Sequence, residues 1–313
     1  MGETNDGMLS PFQSLPEGCI SHILFYTSLQ DACGASLISK DFNSASKSDT
    51  VWGKFLPPDL KEIISNLVPW LSSKTKKELY RLLCHFSNPI DKGILINKGN
   101  RRFWLTKCRK KCYMLSAWEL SIHKKGDPEC WKWYELSGSR FSEVAELQHV
   151  DILDIQVKMP ARSLSLKTNY AAYLVFKTTD YSYGLETVAK ASVSFAATAA
   201  TSGLSEPEGD SVYLKIPKIP AEVHYLPPIY EDDLRYGWWE PDMQRRIVLA
   251  PRPEPEIDGR VPCERNDGWQ EIFLGEFFND EGVGDIEIKI SEILDSKRGL
   301  ILEGIELRPK EEA

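Results

Sequence analysis

From about residue 112 onward the apolar residues of this chain recur at every second position, whereas before it they recur at every third and fourth. One kind of secondary structure cannot satisfy both periods, so the chain must combine a helical part with a strand-rich part. Beyond the change, Leu153, Ile155 and Val157 alternate with Asp154, Gln156 and Lys158, and Tyr170-Ala171-Ala172-Tyr173-Leu174-Val175-Phe176 is a compact apolar run. Further strands are predicted over Val188–Phe195, Ser211–Ile216, Trp269–Leu274, Ile286–Ile290 and Leu300–Leu307, with turn residues between them. That series, with no long helical pattern inside it, argues for an antiparallel β-sandwich.

The N-terminal part reads as short helices. Ser14-Leu15-Pro16-Glu17 has the spacing of a capping box with proline in the first turn, and Ile20, Ile23 and Leu24 follow at helical spacing. A second helix is predicted from Gln30-Asp31 through Ala32, Ala35, Leu37, Ile38 and Phe42, and a third, capped by Asp49, through Val51, Trp52 and Phe55. Pro57-Pro58 ends the unit. Between Asp59 and Ser87, Leu60, Ile63, Ile64, Leu67, Leu79, Leu82 and Leu83 continue a helical pattern and predict a helical bridge. Nine of the nineteen prolines fall between Pro217 and Pro262, which excludes interior strands through most of that stretch and predicts a long loop or insertion.

At 313 residues, with 42% hydrophobic residues, the chain has enough material for two cores. A formal charge of −8 repels a phosphate backbone or an anionic lipid surface, so neither nucleic acid nor membrane is expected as the main partner. No run of residues has the length and apolarity of a membrane span or a secretion signal, and Asp6 stands where a myristoylation signal needs Ser or Thr. Seven scattered cysteines and the lack of an Asn-x-Ser/Thr sequon predict a reducing compartment, cytoplasm and nucleus.

Leu15-Pro16-Glu17, Ile23-Leu24, Asp31, Ser39-Lys40 and Val51-Trp52 resemble the F-box, a motif covering Ser10 to Leu56 here. The resemblance implies that Leu15, Pro16, Ile20, Ile23, Leu24 and Trp52 face the Skp-type adaptor of a cullin ubiquitin ligase. Phe42 stands where many such motifs carry Trp. The blocks Phe103-Trp104-Leu105, Lys111–Ala117, Glu119–Ile122, Trp131-Lys132-Trp133, Arg140–Leu147 and Tyr170–Lys177 resemble phloem protein 2, as do Asp267-Gly268-Trp269, Leu274–Asn279 and Gly304–Pro309. That family includes the Nictaba-like lectins of plants, and the resemblance implies a jelly-roll-like sandwich that binds N-acetylglucosamine oligomers or N-glycan cores. Its lectin site is implied at Trp131, Asp285 and Glu292, with Lys124 at the position of a second site tryptophan. Trp118 replaces the family's arginine ahead of Glu119-Leu120-Ser121-Ile122.

Each of these residues has a plainer reading. Trp131 and Trp133, two apart, share one side of a strand; Trp133 is expected in the core, and Trp131 fits core or ligand equally. Asp285 and Glu292 also fit solvated strand ends. No catalytic set stands out: the histidines cluster with no nucleophile, and neither a Gly-x-Ser-x-Gly elbow nor a phosphate loop is present. Cys108 and Cys112 lack the partners of a zinc site, so no metal or other cofactor is expected. Arg101-Arg102, Lys107 and Arg109-Lys110-Lys111 form a basic strip, read as a solvated strand edge rather than a nucleic-acid surface.

The expected organisation is therefore α+β and multidomain: a disordered N-terminus over 1–9, a three-helix F-box over 10–57, a helical linker over 58–100, and a lectin-like β-domain over 101–310 with a Pro-rich insertion at about 217–262. The expected function is substrate recognition within a ubiquitin ligase, through binding rather than catalysis. The rivals are a free lectin with no ligase role and a glycan hydrolase. The expected partners are a Skp-type adaptor with its cullin core and a glycoprotein or protein target.

Overall fold

The computed structural model describes residues 15–64, 71, 73–84, 93–195, 209–217, 224–225, 247–248 and 258–310. The disorder expected over 1–9, Ser14 of the capping box and most of the Pro-rich stretch lie outside the described residues. Within that stretch His224–Tyr225 and Ile247–Val248 pair as a two-stranded antiparallel ribbon.

Four short helices open the described chain: α1 (Glu17–Phe25), α2 (Leu29–Ala35), α3 (Lys40–Ala45) and α4 (Asp49–Gly53). Serines set the starts of the last three. Ser28, Ser39 and Ser48 accept hydrogen bonds from the backbone N–H groups of Asp31, Phe42 and Thr50, using the free donors of a first helical turn. Asp49 is thus the first residue of α4, and its cap is Ser48. The single helix expected from Gln30 to Phe42 is broken into two, because Ser39 caps a new helix and leaves Leu37 and Ile38 in the turn. The Glu17 carboxylate accepts from Ser44 Oγ on α3 at 2.7 Å, while Ser14, its partner in the expected capping box, lies outside the described residues.

Ile20, Leu24, Ala32, Ala35, Ala45, Val51, Trp52 and Phe55 form the core of this unit, and Tyr80 completes it. Tyr80 belongs to the bridge helix α6 (Lys76–Cys84), which follows α5 (Leu60–Ile64). Its ring lies 5.4 Å from that of Trp52 and 6.3 Å from that of Phe55. Leu79 and Leu83 of the same helix join the β-domain core instead. Helical spacing lets one element close two cores.

The bridge ends in a strand, β1 (Ile94–Ile96), which pairs with β2 (Arg101–Leu105). Then follow β3 (Lys111–Ser116), β4 (Ser121–Ile122), β5 (Trp131–Tyr134), β6 (Val144–Leu147), β7 (Leu153–Pro160), β8 (Thr168–Tyr183), β9 (Val188–Phe195) and β10 (Asp210–Tyr213). The ribbon strands are β11 and β12, and the chain closes with β13 (Cys263–Glu264), β14 (Gln270–Asn279), β15 (Asp285–Glu292) and β16 (Arg298–Pro309). One sheet runs β1-β2-β3-β16-β8-β14-β13, with β5-β6 joining through β16; the other runs β10-β9-β15-β7-β4. Every strand pair named here is antiparallel.

Alternation explains which faces are buried. Leu153, Ile155, Val157 and Met159 on β7 and Ile286, Ile288 and Ile290 on β15 point to the same core as Tyr170, Ala172, Leu174 and Phe176 on β8, so the two sheets share it. The outer side of the large sheet has a smaller core of its own. There Trp104, Cys112, Met114, Val175 and Trp269 pack with Phe141 and Val144, and the Trp269 indole donates to Gly138 O at 3.0 Å. Close beneath it Arg140 pairs with Glu303 at 2.6 Å and with Asp267, tying β16 to two loops.

Candidate functional site

Two surfaces are candidates, one on the helical unit and one on the β-domain. On the helical unit Ile20, Leu24 and Trp52 are buried, with the Trp52 indole donating to Ser46 O at 2.7 Å. They face inward, not toward an adaptor, because a unit this small needs its largest apolar groups for its own core. Leu15 is half-buried against that core, while Pro16 and Ile23 face solvent. The apolar groups most open to water are Leu37 at 88%, Tyr26 at 71% and Ile38 at 68%. The signal for Leu37 and Ile38 in the sequence was an apolar pair between Gly34 and the capping Ser39, at a helix break.

On the β-domain the expected sugar-site residues do not converge. Trp131 is 1% exposed, and its indole donates to His123 O at 3.0 Å. The core reading therefore describes it, since neither ring face is open to a ligand. Glu292 is also buried: it pairs with the buried Lys297 and accepts from Leu294 N–H at 2.6 Å. Burial pulls the Lys297 ammonium down to about 8, against the opposing field of Asp151. Asp285 is exposed but begins β15 where Glu292 ends it. Seven residues of extended strand separate the two by about 23 Å, and an odd spacing puts them on opposite faces. Lys124 is exposed, in a left-handed turn at φ +54°, near the Glu292 end of the sheet: the next residue back, His123, bonds to Asp154, which pairs with Ser291.

The exposed ring nearby is another one. Trp118 is 42% exposed and stacks on Trp133, with centroids 4.1 Å apart and planes at 26°. The Trp118 indole donates to Glu143 at 3.1 Å, and the Trp133 indole to Lys125 O at 3.4 Å. Lys125 Nζ lies 5.1 Å from one ring and 5.6 Å from the other. With the rings 4.1 Å apart, those two distances put the ammonium at the side of the stack rather than over the outer face of Trp118. Burial lowers the Lys125 ammonium's pKa, and Glu119 acts against it. A flat apolar face with a carboxylate at its edge suits a ligand with an apolar ring face and peripheral hydroxyls. Trp133, expected in the core, is half-buried as the base of this stack.

Among the described residues no three His, Cys, Asp or Glu side chains gather as metal ligands, and no helix is long and apolar enough to cross a membrane.

Comparison with known proteins agrees with both halves of the chain. The F-box domain model matches residues 12–54 and the phloem protein 2 model residues 110–309. F-box protein At2g02240 of Arabidopsis thaliana is 40% identical over 311 residues, covering 98% of this chain and 83% of that protein. F-box protein PP2-B10 of the same plant is 38% identical over 96% of this chain and 94% of its own length, and F-box protein VBF 37% over 95% and 99%. A helical F-box unit joined to an antiparallel sheet-rich domain is the class that the fold defines. The chain belongs to the F-box proteins with a phloem protein 2 domain.

Proposed function

We propose that this protein is the substrate-recognition subunit of a cullin-type ubiquitin ligase, its F-box docking on a Skp-type adaptor and its β-domain holding the target. The observation that carries this reading is the exposure of Leu37, Ile38, Tyr26 and Ile23 on an F-box unit joined through α6 to a second, ligand-sized domain. Apolar groups so open to water on a small unit mark a surface that another protein covers. The protein does no chemistry itself. It raises the effective concentration of target beside the ubiquitin-loaded enzyme, in cytoplasm and nucleus. The two sheets form a jelly-roll-like sandwich whose sugar-binding ring is Trp118 on Trp133, taking N-acetylglucosamine-containing glycans or glycoproteins.

Co-purification of the full chain with a plant Skp-type adaptor tests the first half. Replacing Leu37 and Ile38 together by Asp abolishes it while the melting temperature holds; retained adaptor overturns the reading. A glycan array on the full chain tests the second half, where chitin-oligomer binding that Trp118→Ala leaves unchanged removes the ring from the site.

A further inference from the structure

A cavity of about 680 Å³ opens where the end of the F-box unit meets the β2–β3 hairpin and the segment after β7. Its size is that of a small-molecule site. Its lining is strongly cationic in a protein whose formal charge is −8. Lys54 comes from the F-box side, Arg109 and Lys110 from the hairpin, and Arg162 from the β-domain. Two carboxylates also face it. Asp59 is already neutralised by Lys111 at 2.5 Å, which leaves Glu281, exposed at the rim.

The four remaining cations have no carboxylate partner among the described residues. Lys54 Nζ donates to Thr27 O at 3.1 Å and lies 5.6 Å from the Phe25 ring centroid, and Lys110 Nζ reaches Thr168 Oγ1 at 2.8 Å and Leu166 O. Arg162 is exposed and no hydrogen bond or ion pair joins its side chain to a described residue, although it also borders a second concavity with Asp59 and Glu62. Lys54 and Arg109 each sit by the same buried ring, Lys54 Nζ 5.5 Å and the Arg109 guanidinium 5.6 Å from the Phe55 centroid, so both are held by an aromatic face rather than by a carboxylate. Cations lining one concavity without carboxylate partners leave a positive field in it, which an anion neutralises. Arg109 also holds φ +63° at the tip of the hairpin, a left-handed position where glycine is the unstrained choice. Glycine there would lose the cation.

We propose that this junction cavity binds a compact polyphosphorylated small anion, which bridges Lys54 of the F-box unit to Arg109, Lys110 and Arg162 of the β-domain. Arginines supply paired N–H donors to phosphate oxygens, and lysines supply point charge. The concavity between two units favours a soluble ligand over a flat bilayer. None of Trp118, Leu37 and Ile38 lines the cavity, so the result of this test is distinguishable from those of the glycan and adaptor experiments.

Titration calorimetry of the full chain with tripolyphosphate tests it, with sulfate for comparison. One tripolyphosphate binds per chain, more tightly than sulfate, and affinity falls as salt rises. Arg162→Glu, which breaks no described contact and so leaves the fold intact, weakens binding by roughly tenfold or more, the cost of one lost charge-assisted contact. Arg109→Glu with Arg162→Glu abolishes it, and Lys132→Glu, on β5 outside the cavity, leaves it unchanged. An absence of tripolyphosphate binding to the wild type, or an unchanged affinity in Arg162→Glu, overturns the proposal. Binding that appears only on phosphoinositide vesicles overturns it in favour of a membrane surface.

Discussion

Truncating a tryptophan has opposite consequences according to whether water reaches its ring. Trp131, enclosed between the 123–125 turn and the core, leaves a cavity when replaced by Ala, so Trp131→Ala costs about 3–5 kcal/mol and lowers the melting temperature of the whole chain. Trp118→Ala removes a ring already 42% in solvent and shifts the midpoint far less. Denaturant midpoints of the two variants check this, and equal losses would contradict the assignment. Period-two spacing already placed Trp131 and Trp133 on one side of a strand. It could not say which lies deeper, because that depends on where the turn closes over β5, and the carbonyls of His123 and Lys125 settle it. Trp118 was visible only as a departure from the family pattern, with no spacing to tie it to Trp133. The same limit applies to Ile20, Leu24 and Trp52: a motif says which residues are apolar, and only packing says which way they face.

The elements themselves were more legible. Alternation over Leu153–Val157 and Ile286–Ile290 located β7 and β15 because every second residue of each run is a buried aliphatic one. The helix break at Leu37-Ile38 and the three-residue strand β1 were missed, since a serine cap and a short edge strand leave little periodic signal. β16 has a feature visible only in the paired sheet. It shifts register between Leu302 and Gly304, and a methyl group on Gly304 would overlap the Leu115 carbonyl oxygen on β3. That atom belongs to backbone and cannot swing aside. Gly304→Ala therefore costs more than about 2 kcal/mol, through separation of two buried strands. Urea unfolding checks it: a midpoint within error of wild type would show that the strands can part without loss.

At the scale of the whole molecule, the sequence places a domain boundary near residue 101, and a boundary alone would let the β-domain fold apart from its helices. The core drawn around α6 argues otherwise. Tyr80 stands among the rings of the F-box unit while Leu79 and Leu83, on the same helix, stand in the core of the two sheets, and β1 extends the large sheet from within the bridge. Neither core is complete once α6 unwinds, so the two halves melt as one thermodynamic unit. Scanning calorimetry of the full chain then gives a single endotherm with equal calorimetric and van't Hoff enthalpies. Two resolved peaks would mean that α6 is dispensable to one half. Coupling of this kind gives destabilisation a long reach: loss of the Tyr80 ring, which packs on Trp52 and Phe55 of the F-box core, lowers in a Tyr80→Ala chain the population in which the β-sheets are intact.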